Sequence, residues 1–307
     1  MITKELTLTA QDGLQLPGIL WLPEGSLRGI VQITHGMTEH IGRYAALAEQ
    51  LTANGFAAAG FDLRGHGKNP AAANCASFGE NGWAASLQDM HLIRTLLAEQ
   101  YPDVPLFLLG FSLGSFLLRE YLALHSEGIR GAVILGTGQQ PAGILRIMKA
   151  IVATQFKKAG FDGTTQLVHQ LSFGVYNQKF KPNRTESDWL CADTAQLDLY
   201  LADPLCRKEI SAGLFHQLLD AMERTGSRHT YDSWNKQLPV LLLSGADDPV
   251  GDAGKGVKAV YTAMQKAGLA QTELYLYPGA RHDLMHEEAG AAEAARAQLL
   301  AWLNSRL

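Results

Sequence analysis

Short apolar runs bounded by turn residues recur along this 307-residue chain and alternate with longer stretches of helical periodicity. That rhythm constrains the fold more than any other feature. Brief uninterrupted apolar runs suit strands buried on both faces, and helices between them supply the crossovers of a parallel sheet, so the fold class is α/β. Strands are expected at Lys4–Thr9, Leu14–Trp21, Gly29–Thr34, Ala57–Asp62, Leu106–Gly110, Gly131–Leu135, Val240–Ser244 and Glu273–Tyr277. The first two flank Asp12-Gly13, a hairpin signal, so the amino end should be antiparallel. Helical faces are formed by Tyr44, Leu47 and Leu51, by Leu87, Met90 and Leu97, and by Ala295, Leu299, Trp302 and Leu303.

The rhythm breaks between Gln139 and Lys236. No strand pattern is visible there, several helical stretches are, and loop signals stand at Lys181-Pro182-Asn183 and Asp203-Pro204. The chain therefore divides into a first core segment, 1–138, a helical cap insertion, 139–236, and a second core segment, 237–307. The cap precedes the last two strands.

Charge narrows the functions open to the chain. A net charge of −4 with no basic patch argues against nucleic acid as a partner. Charged residues make up 18% of the chain, and the 47% hydrophobic content is enough for a substantial core, which excludes disorder. The three cysteines, Cys75, Cys191 and Cys206, are unclustered and odd in number, as expected in a reducing, cytoplasmic setting. The opening MITKELTLTAQDG lacks the pattern of a signal peptide. The longest apolar stretch, Val104 to Leu118, is shorter than the ~20 residues that span a bilayer.

The chemistry centres on Gly110-Phe111-Ser112-Leu113-Gly114, a G-x-S-x-G motif that follows one apolar run and opens a helical one. In that strand–turn–helix context the turn is a nucleophile elbow, with Ser112 Oγ standing clear of the sheet. A serine hydroxyl is a weak nucleophile until a base takes its proton, and that base must be oriented by an acid. Later in the chain, Asp247-Asp248 follows the strand Val240–Ser244 and His282 follows the strand Glu273–Tyr277. Both lie beyond carboxyl ends of strands, where active sites of open α/β sheets gather. His282 is expected as the base and Asp247 or Asp248 as the acid. A tetrahedral intermediate also needs two donors for its oxygen. The N–H of Leu113 is one, and the N–H of Met37, in Thr34-His35-Gly36-Met37, is assigned as the other. His35 itself is expected to be a structural hydrogen-bonding group.

The segments HGMTEHIGRY, FDLRGHG, GFSLG, SGADDPVG and YPGARHDLMHE occur in the order and spacing of the α/β-hydrolase family. The chain most resembles its monoacylglycerol lipase and lysophospholipase branch, also catalogued as serine aminopeptidase-like hydrolases. The cap matches more loosely, through Asp188-Trp189-Leu190 and Tyr200-Leu201-Ala202-Asp203-Pro204. The resemblance implies Ser112, Asp248 and His282 as a catalytic triad, because the branch places its acid three residues after a strand-end glycine, here Gly245. It also implies an eight-stranded, mostly parallel sheet with its second strand antiparallel, and the Met37 and Leu113 amides as oxyanion hole.

Other motifs point to weaker chemistry. His282-Asp283-x-x-His286 imitates a zinc-protease motif, but aspartate replaces glutamate and Pro278-Gly279 stands just upstream. Gly136-x-Gly138 lacks the third glycine of a dinucleotide fingerprint, and Gly254-Lys255-Gly256 lacks the Walker spacing. Arg64 and His66 of FDLRGHG are expected to brace a turn. No metal or cofactor is therefore expected.

The expected activity is cleavage of single-chain acyl esters, such as monoacylglycerols or lysophospholipids, through an acyl-Ser112 intermediate. Alternatives on the same triad are a short-chain carboxylesterase, a thioesterase, an acyltransferase or an aminopeptidase, the last needing acids such as Glu186 or Asp188 to hold a free amine. A non-catalytic binding protein of the same fold is the alternative of another class. In the cap, Ile144, Met148, Ile151 and Val152 lie near one helical face, expected either to pack onto the core or to form an amphipathic surface that touches lipid transiently. Met148, Phe173, Tyr176 and Trp189 are the candidate substrate-binding residues.

Overall fold

The computed structural model describes residues 1–69, 75–206 and 209–307. All eight expected strands are present: β1 (Ile2–Thr9), β2 (Gln15–Leu22), β3 (Gly29–Thr34), β4 (Phe56–Phe61), β5 (Leu106–Phe111), β6 (Gly131–Leu135), β7 (Val240–Gly245) and β8 (Thr272–Tyr277). They form one sheet in the order β1-β2-β4-β3-β5-β6-β7-β8. β2 runs against both of its neighbours, and every pairing from β4 to β8 is parallel.

The burial of each strand follows its sequence. β3 to β7 are buried at every position, as continuous apolar runs require when helices cover both faces. Edge strand β1 is exposed from Ile2 to Glu5 and then alternates half-buried and exposed residues from Leu6 to Thr9. One face is covered by α1 (Ala45–Ala53) and, from the carboxyl end, α11 (Ala289–Asn304), whose Leu47, Leu51, Leu299 and Trp302 pack on Val31, Phe107 and Leu241. The other face carries α2 (Gly82–Gln100), α3 (Leu113–Leu124) and α10 (Lys255–Lys266), with Met90, Leu97, Phe116, Tyr121, Val257 and Met264 in one cluster.

Between β6 and β7 the chain is helical: α4 (Ala142–Ala159), the short turns α5 (Gln166–His169) and α6 (Val175–Asn177), α7 (Thr194–Ala202), α8 (Ala212–Thr225) and α9 (Arg228–Asp232). α8 packs along α3 and α4 packs along α8, so Leu145, Val152, Leu214 and Leu218 join the core cluster of that face. Arg119, a fully buried guanidinium inside α3, ties the layers together. It donates to Gly138 O at 3.1 Å, Thr225 O at 2.9 Å and Tyr231 Oη at 2.5 Å. The face of α4 is rotated from the expected one: Leu145 and Val152 are buried, while Ile144 is half exposed and Ile147 more so. The cause is the packing partner, because α8 takes the Leu145–Val152 side.

Register sets up the site. Thr34 of β3 lies opposite Gly110 of β5, so the chain leaves these neighbouring strands at one level. β3 pairs with β4 on one side and β5 on the other, which makes this the point where connections diverge and a crevice opens. Gly245 of β7 lies opposite Tyr277 of β8, and the loops carrying Asp248 and His282 emerge side by side.

Candidate active site

Ser112 joins β5 to α3 with φ 48° and ψ −115°, in the left-handed half of backbone space that costs a residue with a Cβ roughly 1–3 kcal/mol. Close packing holds it there. A Cβ on Gly110 would lie 2.4 Å from Gly114 O, and one on Gly114 would lie 2.1 Å from Thr34 O. Glycine at both positions lets helix, strand and the end of β3 approach within backbone contact. Ser112 N–H donates to Leu135 O at 3.0 Å, which fixes the turn to β6.

Ser112 Oγ lies 2.8 Å from His282 Nε2, and His282 Nδ1 lies 3.0 Å from Asp248 Oδ2. Asp248 is wholly buried, and its Oδ1 accepts the Val250 N–H at 2.8 Å. With Asp248 ionised, the Nδ1–H tautomer of His282 is the one that donates to it, which leaves Nε2 free to accept from Ser112. Asp247 is exposed and turned away, with its N–H donating to Ala280 O at 3.0 Å. Gly245 makes the meeting of the two loops possible, since a Cβ there would stand 2.1 Å from Arg281 O. The His282 imidazole is in contact with two aromatic rings, Phe111 at 4.9 Å and Trp189 at 5.2 Å between centroids, both tilted against it.

The turn after β3 faces the same serine. Gly36 N–H donates to Glu39 Oε1 at 2.5 Å, and Thr38 Oγ1 donates to Met37 O at 2.6 Å. The start of α3 is closed by Ser115 and Phe116 N–H groups donating to Ser112 O. None of these bonds uses the amides of Met37 or Leu113, and both residues line the cavity beside Ser112. His35 is buried, its Nε2 accepting from Leu63 N–H at 2.9 Å and its Nδ1 lying 2.7 Å from Gly36 O. Burial holds its pKa below the ordinary value, so it stays neutral and braces the turn. Arg64 and His66 also brace: Arg64 pairs with Asp89 and Asp12, and His66 Nδ1 lies 2.8 Å from Arg64 O.

A cavity of about 230 Å³ opens over Ser112. Met148, Phe173, Tyr176 and Trp189 all line it, beside Ile144, Leu218 and Met222. Phe173 stacks on Trp189 at 5.6 Å, and Tyr176 packs on the same indole at 5.2 Å. Burial, with the Asp248 charge adding to it, pushes the Tyr176 phenol up to about 12, so it stays protonated.

Sequence reasoning missed the polar end of this cavity. Glu39 accepts from Arg43 and from Tyr44 Oη, and Arg43 also pairs with Asp283 at 2.7 Å. Burial alone would raise the Asp283 pKa, but His286 and Arg43 hold it well below the carboxylate range. His286 Nδ1 lies 2.9 Å from Asp283 Oδ1, and its Nε2 lies 3.1 Å from Arg43 O. Thus both nitrogens of His282 and of His286 are engaged on separate partners, and the zinc-like spacing reflects two different jobs. Gly136 and Gly138 are packing glycines: a Cβ on Gly136 would meet the Phe111 ring at 2.8 Å, and one on Gly138 would meet Val250 O at 2.3 Å.

Fold and site together define an α/β-hydrolase. The chain belongs to the family described as serine aminopeptidase, S33 (Hydrolase_4), whose profile matches residues 25–289. The monoglyceride lipase of Mus musculus is 27% identical over 308 aligned positions, covering 98% of this chain and 90% of that protein. A thermostable carboxyl esterase from Bacillus coagulans, solved with glycerol, superposes with a TM-score of 0.90 at 24% identity and 99% coverage of both chains. A soluble variant of Saccharomyces cerevisiae monoglyceride lipase with a substrate analog superposes with a TM-score of 0.78 at 20% identity, covering 100% of this chain and 95% of that one. Among the described residues, no helix is long and apolar enough to cross a membrane.

Proposed function

We propose that this protein hydrolyses carboxylic esters with a single acyl chain, monoacylglycerol or lysophospholipid-like, through an acyl-Ser112 intermediate. One observation carries the reading: a strained serine lies 2.8 Å from an aspartate-oriented histidine at the floor of an apolar cavity. Ser112 Oγ attacks the ester carbonyl as His282 Nε2 takes its proton. Asp248 fixes the tautomer and stabilises the imidazolium, and the Met37 and Leu113 N–H groups receive the oxyanion. His282 returns the proton to the departing alcohol, then deprotonates the water that releases the acid. The N-terminus of α3 adds positive potential beneath the developing charge.

The cavity lining favours an acyl chain over a peptide with a free amine. Its one carboxylate among the described lining residues, Glu39, is already held by Arg43, Tyr44 and Gly36 N–H. Asp188 spends its oxygens on Arg184 N–H and on Thr185, and Glu186 is exposed. The relatives named monoglyceride lipase support the same substrate class. In this reading residues 139–236 form a cap between core segments 1–138 and 237–307. The exposed Ile144 and Ile147 of α4 meet the lipid surface that supplies substrate.

Hydrolysis of p-nitrophenyl esters from acetate to palmitate, with Ser112→Ala as control, tests the reading. Each methylene buried in the cavity is expected to raise kcat/KM about fourfold, from ~0.8 kcal/mol of transfer energy, until the cavity is filled. An acetate optimum would make this a short-chain esterase, and activity surviving in Ser112→Ala would overturn the mechanism. A fluorophosphonate that leaves the wild type unlabelled would point to a binding protein instead.

A further inference from the structure

Trp189 belongs to the insertion, yet it packs against the catalytic imidazole, and the chain around it is fastened to the histidine loop with unusual thoroughness. Asp283 N–H donates to Leu190 O at 2.6 Å. The Arg281 guanidinium reaches Asp188 O and Cys191 O, and lies over the Phe180 ring at 4.3 Å. Cys191 Sγ donates to His286 O at 3.3 Å. At the centre is Glu287, buried to 3% exposure. Its Oε1 accepts the N–H groups of Ala192 at 2.5 Å, Asp193 at 3.3 Å and Glu288 at 3.1 Å, and its Oε2 accepts Arg281 N–H at 2.6 Å. One carboxylate therefore grips residues 192–193 with one oxygen and the residue before His282 with the other.

We propose that Glu287 is a positioning residue: it clasps the strap 188–193 to the histidine loop, so that Trp189, with Phe111, keeps the His282 imidazole packed in line with Ser112. The proposal rests on Ser112 and His282 being nucleophile and base. Two charge-assisted sets of backbone bonds, one on each loop, make a carboxylate the fitting group, since an amide has only one acceptor oxygen. The plates matter because the imidazole must present Nε2 to Ser112 before attack and to the leaving oxygen afterwards. A tilt that misplaces the reacting atoms by ~1 Å costs up to about a hundredfold in rate.

The test uses p-nitrophenyl acetate, whose acyl group is too short to need the apolar cavity. Glu287→Gln keeps size and one acceptor but sets an NH2 group against one of the gripped amides. kcat per titrated active site is expected to fall about tenfold to a hundredfold with KM nearly unchanged, and the rate of Ser112 phosphonylation should fall in parallel. Trp189→Ala should show the same split, and Trp189→Phe, which keeps an aromatic plate, should recover most of the loss. If Glu287→Gln does not fold, the two Trp189 variants decide alone. Wild-type kcat in Glu287→Gln or Trp189→Ala, with Ser112→Ala inactive, would overturn the clasp while leaving the serine mechanism intact. Activity in Ser112→Ala would instead overturn the mechanism beneath it.

Discussion

Gly114→Ala is the sharpest single test of how the elbow is built. The added methyl carbon would lie 2.1 Å from Thr34 O and 2.7 Å from His35 O, both backbone atoms that no side-chain rotation can move. Even a tight contact of 3.0 Å requires that the first turn of α3 withdraw from the end of β3 by about 0.9 Å. That shift carries Leu113 N–H away from Met37 N–H, so in the proposed mechanism a single oxyanion could no longer meet both. A displacement near 1 Å at the reacting centre costs about a hundredfold in kcat, and forcing a methyl into packed backbone costs about 1–3 kcal/mol of stability. Gly143→Ala is the matched control. Gly143 lies in the first turn of α4, and nothing stands within 4 Å of its added carbon. It should keep wild-type activity and gain about 0.4–1 kcal/mol from the reduced freedom of the unfolded chain. The assay is kcat on p-nitrophenyl butyrate beside a thermal melt. Gly114→Ala with the kcat and Tm of the wild type would refute the close-approach argument.

Three further outcomes follow from the geometry. Asp248→Asn is expected to lower kcat about 10⁴-fold by favouring the wrong His282 tautomer, while Asp247→Asn leaves it unchanged; equal losses would show that the acid is misassigned. Arg119→Met strands Gly138 O, Thr225 O and Tyr231 Oη in the interior. It should cost about 1–3 kcal/mol for each acceptor left unsatisfied, read in a denaturant melt, and an unchanged midpoint would count against Arg119 as the tie between α3 and α8. Burial holds His35 below its ordinary pKa of ~6.5, so the unfolded chain binds a proton that the folded chain refuses. The stability this gives is full above that value and drains away as pH falls toward the depressed folded value. His35→Gln should therefore flatten the Tm–pH slope below about pH 6.5, and an unchanged slope would refute the assignment.

Much of this was legible in the sequence because it is local. Uninterrupted apolar runs such as Leu106–Phe111 and Val240–Gly245 can be satisfied only in a sheet covered on both faces, so strand positions could be read within a residue or two. The elbow was legible for the same reason, since its strained serine and flanking glycines are neighbours along the chain. Asp247 and Asp248 could not be separated by composition, as both are aspartates after one strand; the resemblance to a family chose between them. In the fold, the backbone turn after Gly245 buries one carboxylate against His282 and leaves the other in water.

What only the tertiary structure decided depends on contacts between distant segments. Nothing local in Glu287 announces that it grips Ala192 and Arg281, or in Glu39 that it holds Arg43, Tyr44 and Gly36. Helical periodicity shows only that one stripe of α4 is apolar, while the neighbour α8 selects which part of it is buried. Nothing local in Arg119 announces that Gly138, Thr225 and Tyr231 surround it. The sequence by itself determined the layered α/β fold and the serine turn, because periodicity and backbone strain act over a few residues. The tertiary structure decided which carboxylate is buried against His282, which rings pack near it and what Glu287 bonds, because hydrogen bonds and burial depend on partners that meet only when β3, β5, β7 and β8 release their loops at one end of the sheet.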